Sequence, residues 1–246
     1  MRRNFIETKN IKRLKAGLVE VAERGAPEAR IVLVEGGVGL GKTEALRNIQ
    51  KRIDPPGVYV RAVANWTPRW MLRDIARGLR VPVNAATCQA HFDAVSAGLI
   101  EFGRTLLIDE FDQVARSMKL VETLRDLADT TETAIVVAGA PGIENALGRA
   151  RQVHSRVASV VRFRPMVLED IYALAEACTD EDMKVHKNCA ARLREGCEGS
   201  IRLLLSHLGR AEGRAKEAKR DVITLDDLDQ GRSGFQLNPM QKEARA

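Results

Sequence analysis

The stretch Glu35-Gly36-Gly37-Val38-Gly39-Leu40-Gly41-Lys42-Thr43 constrains this chain more than any other feature. Gly36 and Gly41-Lys42-Thr43 have the spacing G-x-x-x-x-G-K-[ST] of a phosphate-binding loop. Ile31-Val32-Leu33-Val34 precedes it and reads as a buried parallel strand; Glu44-Ala45-Leu46-Arg47-Asn48-Ile49 follows it with good helix formers. Strand, glycine loop and helix are the setting that the chemistry needs. Glycines let backbone N–H groups close around phosphate oxygens, and the helix N-terminus adds favourable potential. Residues Gly36, Gly37, Val38, Gly39, Leu40, Gly41, Lys42, Thr43 and Glu44 are therefore expected to hold a nucleotide. Lys42 would reach the β- and γ-phosphates, and Thr43 would ligate Mg²⁺. A glycine-rich turn that only joins two elements is the alternative.

The 246 residues suffice for one sizeable core and a small appendage. No apolar run approaches a membrane span, and the N-terminus lacks the apolar core of a secretory signal, so a soluble, cytoplasmic protein is expected. Cys88, Cys178, Cys189 and Cys197 are scattered; with His186 nearby they match no common zinc module, and reduced thiols are the better reading. The net charge of +6 permits nucleic-acid binding without proving it. Arg2, Arg3, Lys9, Lys12, Arg13 and Lys15 crowd the N-terminus, and a second basic stretch runs from Arg210 to Arg220. A solvated helix face accounts equally for such runs.

Periodicity predicts an amphipathic helix over 5–24, strands near 58–63, 105–110, 134–139 and 158–163, and helices near 68–79, 87–102 and 117–129. Thr67 reads as an N-cap with Pro68 at the first helical position. Strands alternating with helices predict an α/β fold, a five-stranded parallel sheet with helices on both faces. From Pro165 no strand signal appears; helices near 167–178, 182–195 and 200–219 predict a small all-α unit. The expected organisation is a basic amphipathic helix in 1–29, a nucleotide-binding core in 30–164, a helical lid in 165–229 and a loose tail in 230–246.

Leu106-Leu107-Ile108-Asp109-Glu110 ends an apolar strand in two carboxylates, the Walker B arrangement. Open α/β sheets bind ligands at the carboxyl ends of their strands. Asp109 would hold Mg²⁺ through water, and Glu110 would polarise the attacking water as a general base. An acidic pair opening a helix is the alternative. Arg149, Arg151 and Arg156 lie between the fourth and fifth strands, where an arginine given to a neighbouring subunit makes hydrolysis depend on assembly. Plain surface charge is the alternative for each.

Gly36–Thr43, Leu106–Glu110, Ala134–Gly139, the Arg149–Arg156 loop and Gly199-Ser200-Ile201-Arg202 together resemble an AAA+ ATPase. The resemblance covers about residues 5–229 and implies a P-loop NTPase with ATP and Mg²⁺ as cofactors, a C-terminal helical lid, and Arg202 as a "sensor 2" arginine that reaches the γ-phosphate. It also makes Arg151 and Arg156 candidate fingers. The family usually places a polar "sensor 1" residue after the fourth strand; Ala140-Pro141 stands here instead, which implies slow or differently organised hydrolysis. Asn65–Ile75 and 139–157 resemble transposition regulators of the MuB/TnsC type, phage and transposon ATPases that assemble on double-stranded DNA and present it to a transposase. The phage Mu B protein carries a DNA-binding domain before its ATPase; this chain reaches its loop by residue 36, so DNA contacts are expected on the ATPase core.

That resemblance implies a helical or ring-shaped homo-oligomer with duplex DNA and a transposase as partners, no membrane, and a bacterial host cytoplasm. Arg69 and Arg73 beside Trp66, and Arg116 and Lys119 after Walker B, are the candidate phosphate contacts. Both tryptophans are expected to pack in the core or an interface. A helicase loader or initiator ATPase, and a signalling or scaffold NTPase that oligomerises without DNA, stay open as alternatives.

Overall fold

The computed structural model describes residues 2, 4–23, 29–84, 86–148, 151–197 and 199–229; the tail 230–246 and Arg149 lie outside them, as does the side chain of Arg151. The chain divides into two units, Asn10–Arg164 and a second formed by the residues up to Lys9 with those from Pro165 on.

The larger unit is built on five parallel strands, β1 (Ile31–Glu35), β2 (Val58–Arg61), β3 (Leu106–Asp109), β4 (Ile135–Gly139) and β5 (Val157–Arg162), in the order β2-β3-β4-β1-β5. The three central strands are buried almost residue for residue, whereas β2 and β5 bury only some positions. A strand covered on both faces must be apolar throughout, while an edge strand keeps partly polar positions. Ile31, Leu33, Leu106, Ile108, Ile135 and Val137 share one core with side chains of α3 (Pro68–Leu79), α4 (Cys88–Phe102) and α5 (Met118–Thr131). Val32, Val34, Leu107, Val136 and Ala138 alternate with them, point to the opposite face and are also buried. On that face Gly17 of α1 (Lys9–Glu23) lies against Val161 and Val32. The expected sheet covered on both faces is borne out.

The helices begin where the sequence supplies caps. Thr67 accepts the Trp70 N–H at 3.2 Å with Pro68 behind it, and Thr87 accepts the Ala90 N–H at 3.1 Å. Register then brings Arg61, Asp109, Gly139 and Glu35 out at the same end of the sheet, through the pairs Arg61↔Asp109 and Glu35↔Gly139.

In the smaller unit α8 (Leu168–Cys178), α9 (Cys189–Cys197), α10 (Ile201–Glu217) and α11 (Leu225–Asp229) enclose a second core. It is not all-α. Two-residue strands β6 (Lys184–Val185) and β7 (Val222–Ile223) pair in parallel and put Val185 and Ile223 into that core. They displace the start of the helix expected at 182 to Cys189. The N-terminal residues bond to this unit: Arg2 donates to the Thr179 carbonyl at 2.8 Å and pairs with Glu181, and Asn4 donates to the Ala177 carbonyl at 2.8 Å. The second basic stretch is likewise engaged, with Lys216 on Asp180 and Glu212 and Arg220 on Asp227. Both basic runs are therefore tied, in part, to internal acids.

Asn10 closes the larger unit. Its side-chain amide donates to the Arg164 carbonyl at 2.7 Å and accepts the Arg164 N–H at 3.0 Å, as a neighbouring strand would, and Arg13 also donates to its oxygen at 2.9 Å. The group is buried, so removing it strands a backbone donor and acceptor. Asn10→Ala is expected to destabilise the fold by about 1–3 kcal/mol; a urea midpoint equal to that of the unsubstituted chain would remove Asn10 from this role.

Candidate nucleotide site

The glycine loop leaves β1 at Glu35 and enters α2 (Lys42–Arg52) at Lys42. Gly39 and Gly41 hold φ of 81° and 87°, a left-handed backbone that glycine adopts without the cost a Cβ would bring. Gly41 is the N-cap of α2 and brings no side-chain acceptor, so no side chain caps the first-turn N–H groups. Those donors suit an anion. Lys42 Nζ lies across the loop, donating to the carbonyls of Gly36 at 2.6 Å and Gly37 at 2.9 Å. Burial lowers the Lys42 pKa from its usual value, opposed by the charges of Asp109, Asp112 and Glu110 in that order. Within the loop, Leu40 is buried and Val38 is exposed, and both Lys42 and Thr43 are half-buried. Glu44 pairs with Arg47 on the surface of α2.

Asp109 is the last residue of a fully buried strand and is itself 1% exposed. A buried carboxylate needs hydrogen-bonding partners. Tyr59 Oη donates to Oδ2 at 2.9 Å, and the Glu110 N–H reaches Oδ1 at 2.9 Å. Burial, then the Asp109 charge and hydrogen bond, push the Tyr59 phenol up to about 12, so it stays a donor at neutral pH. Arg47 lies over the same ring, 5.4 Å from its centroid.

Glu110 has φ of 55°, a left-handed conformation costing a residue with a Cβ about 1–3 kcal/mol. The turn brings its carboxylate to Arg61, whose Nη2 donates to Oε1 at 2.7 Å and to Oε2 at 2.6 Å. Gln113 Nε2 donates to Oε2 at 2.8 Å. Both carboxylate oxygens of Glu110 are thus engaged by side chains. Sequence reasoning missed Tyr59, Arg61 and Gln113, and only the alternation in Val58-Tyr59-Val60-Arg61 hinted that Tyr59 and Arg61 share the non-core side of β2.

These donors fit a nucleotide with its cation. Lys42 and the uncapped first-turn N–H groups of α2 supply donors for phosphate, and Thr43 stands on the same turn with its hydroxyl. Among the described residues no group of three His, Cys, Asp or Glu is arranged to hold a metal alone. Mg²⁺ commonly takes one or two protein oxygens and completes its shell with phosphate and water.

Arg156 lies at the far end of the sheet. Its carbonyl accepts the N–H of Ile31, the first residue of β1, about 13 Å along the strand from Glu35. Its guanidinium grips Asp129 of α5 at 2.9 and 3.1 Å. Arg156 is thus remote from the glycine loop of its own chain. Arg202 is exposed on the first turn of α10, in the smaller unit, after the N-cap Ser200.

Arg69 and Arg73 are exposed on α3 and, with Thr67 and Trp70, line a depression of about 350 Å³. Arg77 continues the row at a four-residue step and is also exposed, a spacing that places the three on one side of the helix, and Arg80, the left-handed C-cap of α3, is exposed just beyond it. Asp74 pairs with Arg73 and Arg77 within this row. Arg116 and Lys119 are exposed at the entry of α5. The tryptophans part company: Trp66 is buried and donates to Asp74 at 3.0 Å, whereas Trp70 is 37% exposed under the Arg73 guanidinium, 5.5 Å away. Trp66 is thus the core tryptophan of the two, and Trp70, on the arginine-bearing side of α3, is turned outward from that core.

Residues 26–147 match the family described as AAA domain. Among solved structures, the Aeropyrum pernix ORC2 protein in its ADPNP–ADP complexes is similar at a TM-score of 0.71 and 16% identity, over 100% of this chain and 74% of that one. The Aeropyrum pernix ORC1 protein in complex with DNA matches at 0.61 and 19%, over 91% and 63%. The Thermotoga maritima RuvB Holliday junction branch migration motor matches at 0.62 and 17%, over 90% and 67%. This chain thus spans about two thirds to three quarters of the length of those structures. No curated protein matches. The fold is that of an AAA+ P-loop NTPase, and the AAA-domain segment carries the paired glycine loop and acidic strand end of an ATP-hydrolysing enzyme.

Arg61→Ala is expected to free Glu110 and raise basal ATP turnover severalfold, read as steady-state phosphate release. Unchanged or lower turnover would mean that the Arg61 contact does not restrain the base.

Proposed function

We propose that this chain is an ATPase that binds double-stranded DNA without reading sequence, assembles on it with copies of itself, and delivers it to a transposase. ATP, bound with Mg²⁺ on the glycine loop through Lys42 and Thr43, favours assembly, and Glu110 activates the water that ends the assembled state. Arg202 senses the γ-phosphate, and Arg156 leaves Asp129 to complete a neighbouring copy's site, with Arg151 beside it on the same segment.

The observation that carries the DNA reading is the arginine row of α3, Arg69, Arg73 and Arg77, with Arg80 exposed at its C-cap, on the helix that follows the strand whose Arg61 grips Glu110. Exposed guanidinium groups along one helix side track phosphates without distinguishing bases. Arg116 and Lys119 extend the same chemistry. A replication initiator or helicase loader is the second reading, favoured by the likeness to ORC structures. The two differ in their DNA: a loader prefers single strands or an origin, a target-delivery factor takes any duplex.

Lys42→Ala is expected to abolish nucleotide binding and nucleotide-dependent assembly, and Glu110→Gln to keep binding while trapping assemblies, as seen by fluorescent-nucleotide titration and light scattering. Should Glu110→Gln leave turnover and disassembly untouched, another group is the base.

Random-sequence duplex should be bound only with ATP, more weakly as salt rises, with rings or filaments in negative stain. Arg69→Ala with Arg73→Ala should weaken every duplex alike and flatten the slope of log K against log salt by about 2. A stronger hold on single strands favours the loader, and no DNA binding in any nucleotide state overturns both readings.

A further inference from the structure

The sheet order sets β4 between β1, which leads to the glycine loop, and β3, which ends in Asp109. The C-terminal end of β4 therefore opens between the two halves of the site. Its next residues, Ala140 and Pro141, have no side-chain atom able to hold water. Asp112 occupies this gap. It comes from the 3₁₀ turn Phe111–Gln113, and its Oδ1 accepts the Ala140 N–H at 2.9 Å. The approach depends on Gly139, where a Cβ would stand 2.8 Å from Asp112 Oδ1 and 3.1 Å from its Cβ. Oδ2 of Asp112 has no partner among the described residues, and the side chain is exposed. It is also electrically part of the site, acting on Lys42 more strongly than Glu110 does. Of the three carboxylates facing Lys42, Asp109 has both oxygens engaged and Glu110 is held by Arg61 and Gln113. Asp112 alone among them offers an open oxygen.

Resting on the ATPase reading above, we infer that Asp112 positions the hydrolytic water from the β4 side, with its free carboxylate oxygen in place of the polar side chain that Ala140 lacks. One O–H of the water donates to Asp112 Oδ2. The other proton passes to Glu110 once Arg61 has released it. The water oxygen bonds to the γ-phosphorus while the bond to the β,γ-bridging oxygen breaks, its electron pair leaving on ADP, and Glu110 then returns its proton to solvent. Asp112 acts through the water, so it is a positioning residue.

Asp112→Asn separates this role from a structural one, because the amide oxygen can still accept the Ala140 N–H while the free acceptor is replaced by a donor. The experiment measures turnover, the affinity for the non-hydrolysable analogue ADPNP, the affinity for ADP with fluoroaluminate as a mimic of the transferring phosphoryl group, and the melting temperature. Asp112→Asn is expected to lower kcat at least about tenfold and to weaken ADP–fluoroaluminate by a like factor. ADPNP affinity should stay within about twofold and melting should not move. Asp112→Ala, which also leaves the Ala140 N–H unpaired, should lose the same turnover and in addition melt lower. Wild-type turnover in Asp112→Asn overturns the inference, as does an equal loss of ADPNP and ADP–fluoroaluminate binding. If the unsubstituted chain neither binds ADPNP nor hydrolyses ATP, the ATPase reading fails first and takes this inference with it.

Discussion

A carboxylate buried at the end of an apolar strand is the constraint on which the rest of this site depends. Asp109 belongs to the middle of the sheet by position and to water by chemistry. Left without partners, an ionised carboxylate there would cost far more than the fold's margin of stability. The protein meets that cost locally, with a phenol from one neighbouring strand and the N–H of the next residue. The left-handed turn at Glu110 comes directly after this buried carboxylate. The turn in turn sets where Glu110, Asp112 and Gln113 point.

Around this centre Lys42 lies among several acids. Asp109, Asp112 and Glu110 all act on Lys42, and Arg61 offsets one of them. A divalent cation is the natural screen for a polyphosphate in so acidic a setting.

Much of this was legible in the sequence, for reasons that can be named. The central strands are short continuous apolar runs because both their faces are covered, and such runs stand out. The glycine loop shows because φ values of 81° and 87° exclude most other residues. Thr67 announced its helix through a short-range bond, with Pro68 behind it. What stayed hidden depends on strand order. Nothing in a linear reading says that β2 lies beside β3, so Tyr59 and Arg61 could not be joined to Asp109 and Glu110. The strands β6 and β7 are two residues each, too short to show alternation, and they pair across almost forty positions of chain. Asp112 escaped notice because its partner is a backbone N–H on another strand, which no side-chain pattern records. The basic runs looked free because the acids that hold Arg2, Lys216 and Arg220 come from elsewhere in the fold or from later turns.

The position of β2 has a mechanical meaning. It is an edge strand, hydrogen-bonded to a single neighbour, and it carries Tyr59 and Arg61, which bond to Asp109 and Glu110. Free energies of local opening are lowest where few backbone bonds and contacts must be given up, and a sheet gives up least at its margin. The grip on the chemistry is thus entrusted to the part of the framework that yields most easily. The arginines of α3 stand on the next helix along the chain from β2, so the segment that bears them is continuous with the strand that grips the carboxylates.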